Sequence, residues 1–165
     1  MDEELARFLS GTSFFGGLAP EVARAVLSML KERRIAPGEV LFEEGDDGKS
    51  MYIVGKGALI VHRHCAHGTE ARLMMMRPGD FFGVTTLIEM EPRPFSCRAE
   101  VESLIYELTN LDLYQLYKKD QKTYLLVLQN INRELCRKLR KAAQRIAALE
   151  DTLHEKGPAP GPARE

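Results

Sequence analysis

The sequence contains no apolar run long enough to cross a lipid bilayer. Its longest strictly aliphatic stretch, Leu125 to Leu128, is far shorter than the ~20 residues that a membrane helix needs. The N-terminus is acidic and no apolar segment follows it, which argues against a secretory signal peptide. Cysteine is scarce, and Cys65, Cys97 and Cys136 are odd in number and far apart, as is typical of reduced thiols. These absences predict a soluble cytoplasmic protein without a membrane partner.

An excess of either charge is also absent. The chain has 23 Lys and Arg residues against 24 Asp and Glu residues, a formal net charge of -1, so no nucleic-acid partner is expected. Catalytic motifs are lacking as well, since neither a nucleophile–base pairing nor a paired-carboxylate spacing occurs. The segment Gly55-Lys56-Gly57-Ala58 is without the spacing of a phosphate-binding P-loop. The protein is therefore not expected to be an enzyme.

What is present is enough for one domain with accessory helices, because 165 residues exceed a typical single domain only slightly. Two amphipathic helices are predicted near the N-terminus, the second from Pro20 through the charged run Lys31 to Arg34. From Ile35 to Leu108, short apolar segments alternate with Gly and Pro turns, which is typical of a mainly β barrel or sandwich. The predicted strands are Val40 to Glu43, Met51 to Val54, Ala58 to Arg63, Arg72 to Met76, Ser96 to Val101 and Leu104 to Leu108.

Two further helices are predicted after the strands, capped by Asn110 and Asp120. The second is long, and its apolar residues repeat with a heptad period in which a lone asparagine, Asn132, falls at an a position. Such an asparagine sets the register of two-stranded parallel coiled coils, so the pattern predicts a homodimer. The alternative is that the helix packs this stripe on its own barrel and leaves Asn132 exposed. The predicted interface residues are Leu125, Leu128, Asn132, Leu135, Leu139, Ala142, Ile146 and Leu149.

The turn motifs of the strand region occur in a specific order and spacing. They are Pro37 to Phe42 with Gly45-Asp46, Met51 to Gly57, Arg77 to Gly83, and Pro92-Arg93. In this arrangement they resemble the cyclic nucleotide-binding domain of catabolite-activator-type bacterial regulators, kinase regulatory subunits and cyclic nucleotide-gated channels. The resemblance spans about residues 14 to 153. It implies a double-sheet β-roll, or jelly-roll, with N-terminal helices and a long C-terminal dimerisation helix.

The ligand site of this family is a phosphate-binding cassette, which here would run from Phe82 to about Cys97. The resemblance implies that a short helix after Gly83 aims backbone N–H groups at an anion and that Arg93 adds a bidentate contact. The alternative for Arg93 is a surface side chain paired with Glu89 or Glu91. The implied ligand-binding residues are Gly83, Val84, Thr85, Thr86, Arg93 and Ser96, with the two threonines either donating to the anion or capping the helix. The implied ligand is cyclic AMP, cyclic GMP or another phosphate-containing molecule.

Two residues depart from the family pattern. Val84 stands where the family has a glutamate that accepts from the ribose 2′-hydroxyl, and Pro94 stands where a backbone N–H donates to the cyclic phosphate. The base end of the pocket, which the resemblance places near Ala142 and Ala143, offers nothing polar either. The expectation is a degenerate cassette with weakened affinity for cyclic AMP.

A polar cluster, His62, His64, Cys65 and His67, lies at a predicted strand end. Because Cys65 should point away from His62 and His64, the cluster is interpreted as a hairpin tip and no metal site is expected. At the other end of the chain, 12 residues follow Leu153, fewer than the about 20 that a helix-turn-helix needs. The expectation is a sensor half of a regulator without its DNA-binding half.

The predicted organisation is a helical lead-in over residues 1–13, a β-roll over 14–120, a coiled-coil helix over 121–153 and a disordered tail over 154–165. The leading hypothesis is a stand-alone, dimeric, cytoplasmic sensor domain with a degenerate cassette. One alternative is a ligand-free scaffold that acts through an unidentified protein partner. The other is a sensor of a different anionic ligand.

Overall fold

The computed structural model describes residues 3–65 and 68–155, with side chains through Thr152. His67 and the part of the predicted tail beyond residue 155 lie outside the described residues. The helices are α1 (Glu3–Ser10), a 3-10 turn (Ser13–Phe15), α2 (Pro20–Leu27), α3 (Val84–Glu89), α4 (Asn110–Lys119) and α5 (Gln121–Glu155). The strands are β1 (Lys31–Ile35), β2 (Val40–Phe42), β3 (Ser50–Lys56), β4 (Leu59–His64), β5 (Glu70–Met76), β6 (Phe81–Phe82), β7 (Ser96–Ala99) and β8 (Ser103–Thr109).

The strands form two four-stranded antiparallel sheets, in the orders β1-β8-β3-β6 and β2-β7-β4-β5. A shared apolar core joins them, with Val54 and Ile105 contributed by the first sheet and Val61 and Cys97 by the second. Alternate residues along a strand share one face, so this core follows from the alternation of apolar side chains in the sequence. The expected double-sheet β-roll with flanking helices and a long C-terminal helix is confirmed.

The predicted continuation of the second helix through Arg34 is wrong. Helix α2 ends at Leu27, and the charged run belongs to strand β1, which pairs with β8 from Lys31 opposite Glu107 to Ile35 opposite Ser103. Lys, Glu and Arg are good helix formers, but local propensity is weak against the hydrogen-bond ladder that β8 supplies and the burial of Ile35. Strand β6 was also missed, because two residues show no periodicity.

Of the two caps predicted for the helices that follow the strands, one is wrong and the other is confirmed. The N-cap of α4 is Thr109 and not Asn110, because the Thr109 hydroxyl accepts from the Asp112 N–H at 3.1 Å while Asp112 accepts from the Thr109 N–H at 3.0 Å. This reciprocal pair is a capping box. The predicted cap Asp120 is confirmed, since it accepts from the Thr123 N–H at 3.1 Å.

Helix α5 begins in a compact unit that ends at residue 130, and a second unit starts at residue 131. Within the first unit, Asn130 ties the helix to the N-terminal turn by donating to the carbonyls of Phe14 (2.9 Å) and Gly16 (2.8 Å). Thr123 and Val127 are buried on the same stretch of helix, whereas Leu125 is exposed. The buried residues are therefore not the predicted heptad stripe.

In the second unit most residues of the predicted heptad stripe are exposed to solvent. Leu139, Ile146 and Leu149 are exposed, Leu139 to 72%. Asn132 and Ala142 are exposed, and Leu135 is half-buried, as is Leu128 in the first unit. No described helix combines the length and the apolar character that a bilayer crossing requires.

Candidate anion-binding site

The candidate site lies where β6, the short helix α3 and the approach to β7 meet. Gly83 joins β6 to α3 in the left-handed conformation, with φ of 80°. A β-carbon there would lie 2.7 Å from Nη1 of Arg93 and 3.1 Å from the Ser50 carbonyl oxygen. Glycine is required at this position because it provides both the positive φ and the space for the Arg93 side chain.

Arg93 is the central side chain of the site, and it is only 3% exposed. Its Nη1 donates to Thr86 Oγ1 at 2.8 Å and to the Gly83 carbonyl at 3.5 Å, and its Nη2 donates to the Ser50 carbonyl at 2.7 Å. Its Nε is buried without a hydrogen-bond partner. All three acceptors are neutral, so the buried positive charge has no counter-charge within hydrogen-bond distance among the described residues.

Aromatic rings cover the guanidinium. Its carbon lies 4.3 Å from the centre of the Phe42 ring and 5.5 Å from that of Tyr52. Burial lowers the pKa of Arg93, and the neighbouring Tyr52 partly opposes that shift. Burial likewise raises the pKa of Tyr52, with Glu107 adding to the increase. The surroundings therefore disfavour charge, and an anion bound to Arg93 would relieve this cost.

The backbone of Arg93 is held by the turn between β2 and β3. The Arg93 N–H donates to the Asp46 carbonyl at 2.8 Å, and the Gly45 N–H donates to the Arg93 carbonyl at 2.9 Å. Gly48 of the same turn packs so closely on α3 that a β-carbon would lie 2.3 Å from Thr86 Cβ. These contacts aim the Arg93 side chain inward, so the alternative of a surface arginine paired with Glu89 or Glu91 is wrong.

The structure brings together only part of the predicted set. Gly83, Thr86 and Arg93 are in contact, and Thr86 Oγ1 also donates to the Gly83 carbonyl at 3.0 Å. Thr85 is exposed, and Val84 is buried at 2% exposure with its apolar side chain. The buried Ser96 hydroxyl accepts from the Glu44 N–H at 3.0 Å. The assignment of these six residues to a ligand remains a prediction.

Three further side chains or carbonyls contact Arg93, and the sequence reasoning missed them: Phe42, Ser50 and Tyr52. Tyr52 contacts Arg93 through its ring, whereas Ser50 contacts it through its backbone carbonyl. The local sequence carries no signal for these contacts, because Ser50 and Arg93 lie more than 40 residues apart along the chain.

Cys97, in strand β7 just after the site, gives a test of the packing. Burial raises its pKa to about 12, against a smaller opposing effect of Arg93, whereas Cys65 and Cys136 are exposed. Because the thiolate is the reactive form, a thiol-specific reagent at about pH 8 should label two of the three cysteines in the native protein. Cys97 should react only after unfolding, and mass spectrometry can identify the labelled residues. Equal native labelling of all three would contradict this packing.

Two members of the histidine cluster lie together, since the rings of His62 and His64 are 5.6 Å apart. His62 is buried beside Glu70, with Nδ1 3.3 Å from Oε2 but without hydrogen-bond geometry, while Glu70 pairs with Arg98 at 2.5 and 2.8 Å. Burial lowers the pKa of His62 and Glu70 raises it. His64 and Cys65 are exposed. Among residues 3–65 and 68–155, no three His, Cys, Asp or Glu side chains converge as metal ligands would.

Comparison with known proteins gives a family match and related sequences. The sequence profile described as "Cyclic nucleotide-binding domain" matches residues 32–120, more than half of the chain. The "Cyclic AMP receptor protein" of Thermus thermophilus is 31% identical over 134 residues, which are 81% of this chain and 60% of that protein. The "CRP-like cAMP-activated global transcriptional regulator" of Mycobacterium tuberculosis is 28% identical over 90% of this chain and 63% of that protein. The chain thus spans less than two thirds of the length of these relatives.

Solved structures show the same fold. The catabolite activator protein of Thermus thermophilus matches with a TM-score of 0.75 and 29% identity over 84% of this chain and 63% of that one. A cyclic nucleotide-binding domain from Methylobacillus flagellatus matches with a TM-score of 0.79 and 23% identity over 88% of this chain and 82% of that one. The β-roll around Arg93 is therefore an architecture shared with these proteins.

Proposed function

Because the chain belongs to the cyclic nucleotide-binding domain family, we propose that it is a homodimeric sensor domain that binds an anionic ligand at Arg93. The observation that carries this proposal is the buried guanidinium, which has neutral acceptors, an unpartnered Nε and no carboxylate within hydrogen-bond distance among the described residues. Burying an unpaired charge costs several kcal/mol. An anion in the cassette offsets that cost and so stabilises the folded protein.

The natural ligand is not expected to be held as an ordinary cyclic nucleotide. Two relatives carry cyclic AMP in their names, but here Val84 cannot accept from a ribose hydroxyl and Pro94 has no N–H for the cyclic phosphate. The proposed cassette is therefore degenerate, with cyclic AMP or cyclic GMP binding weaker than micromolar or absent. The cytoplasmic location and the lack of catalysis remain predictions from the sequence.

The proposed homodimer rests on the open stripe of α5. Leu139, Ile146 and Leu149 are large apolar side chains exposed on one helix at heptad spacing. The stripe follows the seam of a two-stranded coiled coil, and a second copy of α5 would remove it from water. Asn132 at an a position would then set the parallel register.

A ligand-free scaffold is the competing function, and one observation favours it. The guanidinium already has three neutral acceptors, Thr86 Oγ1 and the carbonyls of Gly83 and Ser50. These contacts would let Arg93 act as a structural link between α3 and β3. Under this function the protein works only through contacts with another protein, and no small anion stabilises it.

A thermal-shift screen distinguishes the two functions. Cyclic nucleotides, phosphate esters and small carboxylates are tested on the unmodified protein, on Arg93→Ala and on Arg98→Ala, which removes the same charge outside the site. At about 100 times Kd, a ligand adds about 2.7 kcal/mol of stability, or roughly 5–10 °C for a chain of this size. We expect at least one anion to give such a rise, which Arg93→Ala abolishes and Arg98→Ala retains. No hit, or a hit that survives Arg93→Ala, would overturn the proposal.

A further inference from the structure

The C-terminal part of α5 concentrates positive charge. Residues 131–149 contain six Lys or Arg side chains but a single acid, Glu134, and they belong to the second unit. Glu134 pairs with Arg137 at 2.5 Å and lies 4.0 Å from Lys138, so one negative charge is set against six positive ones. Five of the six cations are exposed, and Lys138 is half-buried. The six are Arg133, Arg137, Lys138, Arg140, Lys141 and Arg145.

Four of these cations are spaced four residues apart along the helix. They are Arg133, Arg137, Lys141 and Arg145, termed the cationic row. Side chains four residues apart are neighbours on a helix surface, where opposite charges stabilise the helix and like charges destabilise it. The helix dipole favours cations only in the last turn, whereas α5 continues to Glu155. Formation of the helix therefore does not account for the row, and an anionic partner would offset the repulsion within it.

The cationic row and the apolar stripe of α5 lie on opposite sides of the helix. At 3.6 residues per turn, the centre of the row is about 150° around the helix axis from the centre of Leu139, Ile146 and Leu149. The row therefore stays on the outside when a second copy of α5 covers the stripe. A lipid surface that took up the stripe would leave the row on its far side, where no headgroup offsets the repulsion.

The remainder of the chain carries the opposite balance of charge. Residues 1–130 contain 19 acids against 15 Lys or Arg residues, and such a field disfavours a long polyanion. A nucleic acid carries charge along its whole length, so it would extend beyond the row, which rises only about 18 Å along the helix. A short acidic segment of a protein avoids this repulsion. In helical form it also presents carboxylates at the same four-residue spacing.

We propose that the cationic row is a docking surface for an acidic helical segment of a partner protein. This surface goes beyond the proposed sensor function and needs no anion at Arg93. Single exposed ion pairs contribute little, so the binding free energy comes from several pairs in register. Because salt screens exposed charges, the affinity should fall as the ionic strength rises.

Fluorescence anisotropy of a labelled helical peptide with a glutamate at every fourth position tests this surface. The matched control is a peptide of the same composition in which the glutamates are shuffled out of that spacing. We expect the spaced peptide to bind at low ionic strength, to bind more tightly than the shuffled peptide, and to be released by added salt. Single-stranded oligodeoxythymidylate and vesicles containing phosphatidylserine are titrated in parallel, as probes of a nucleic acid and of a membrane.

Three combined variants test the residues. Arg133→Gln, Arg137→Gln and Lys141→Gln together should weaken binding of the spaced peptide about 3- to 100-fold. The same loss of charge at three exposed lysines outside the row should not, and this control is Lys118→Gln, Lys119→Gln and Lys122→Gln. A charge-retaining variant, Arg133→Lys with Arg137→Lys and Lys141→Arg, should keep the binding. Glutamine is a good helix former, so circular dichroism should show that the helix is retained.

The outcomes distinguish the partners. No binding of the spaced peptide, equal binding of the shuffled peptide, or binding that survives the glutamine variant overturns the proposal. Tighter, row-dependent binding of the oligonucleotide or of the vesicles also overturns it and assigns the row to a nucleic acid or a membrane. Loss of binding in the charge-retaining variant overturns it as well, because binding would then depend on side-chain shape rather than charge. None of these results bears on the anion site, since every variant leaves Arg93 unchanged.

Discussion

Leu139→Glu or Ile146→Glu should convert the proposed homodimer into monomers. Both side chains are exposed on the single chain and fall at a positions of the heptad, so in a coiled coil each would be buried against the partner. Removing such a side chain from the seam loses about 1.5–3 kcal/mol per chain, and a glutamate adds an unpaired charge. Two copies per dimer raise the dimer Kd by about two to four powers of ten.

Sedimentation velocity over a range of protein concentrations measures this change. Gln144→Glu is the matched control, since it adds the same charge on the same exposed helix at an f position, away from the predicted seam. We expect a dimer for the unmodified protein and for Gln144→Glu. An unaltered dimer in both seam variants would remove the long helix from the interface, and a monomeric unmodified protein would refute dimerisation itself.

The double variant Val84→Glu with Pro94→Ala should bind cyclic AMP about two to four orders of magnitude more tightly than the unmodified protein. Glutamate at position 84 restores the acceptor that the family uses for the ribose hydroxyl, and alanine at position 94 restores a backbone N–H for the phosphate. Each regained contact contributes about 1–3 kcal/mol. Without them, binding weaker than micromolar is expected.

Isothermal titration measures the gain, with Thr85→Glu as the control. Thr85 is the exposed neighbour of the buried Val84, so the control adds the same acid one residue away without aiming it inward. Because Val84→Glu places a carboxylate at a buried position of the ligand-free protein, the melting temperature of the double variant is measured first to establish that it is folded. Submicromolar binding by the unmodified protein, or no gain in the double variant, would show that these two contacts matter less than proposed.

Much of the fold could be predicted, because the signals that predict it lie within short segments of the sequence. Strand β3 is predicted as Met51 to Val54 and observed as Ser50–Lys56. It is a short apolar run between glycine turns, and such a run by itself predicts a strand. Charged strand β1 could not be predicted in this way. Its residues favour a helix in isolation, and only their pairing with β8, more than 60 residues later in the chain, makes them a strand.

Some residues of the candidate site could likewise be predicted from the sequence, and others could not. Gly83 and Arg93, ten residues apart, were assigned to the site by the resemblance to the family's cassette. The neighbours of Arg93 were not found. Phe42 and Ser50 come from a different sheet edge and a different strand, and nothing local to them indicates a cation nearby.

By itself, the sequence determined an antiparallel barrel or sandwich and a long heptad helix, since turn spacing and heptad spacing are properties of short segments. The resemblance to the family added the double-sheet β-roll and the departures at Val84 and Pro94. Only the tertiary structure decided that Arg93 is buried, that no carboxylate of the described residues lies within hydrogen-bond distance of it, and that Phe42 and Tyr52 cover it. The physical reason is that desolvation and pairing of a charge depend on every group within a few ångströms. Those groups come from segments that only the folded sheets bring together.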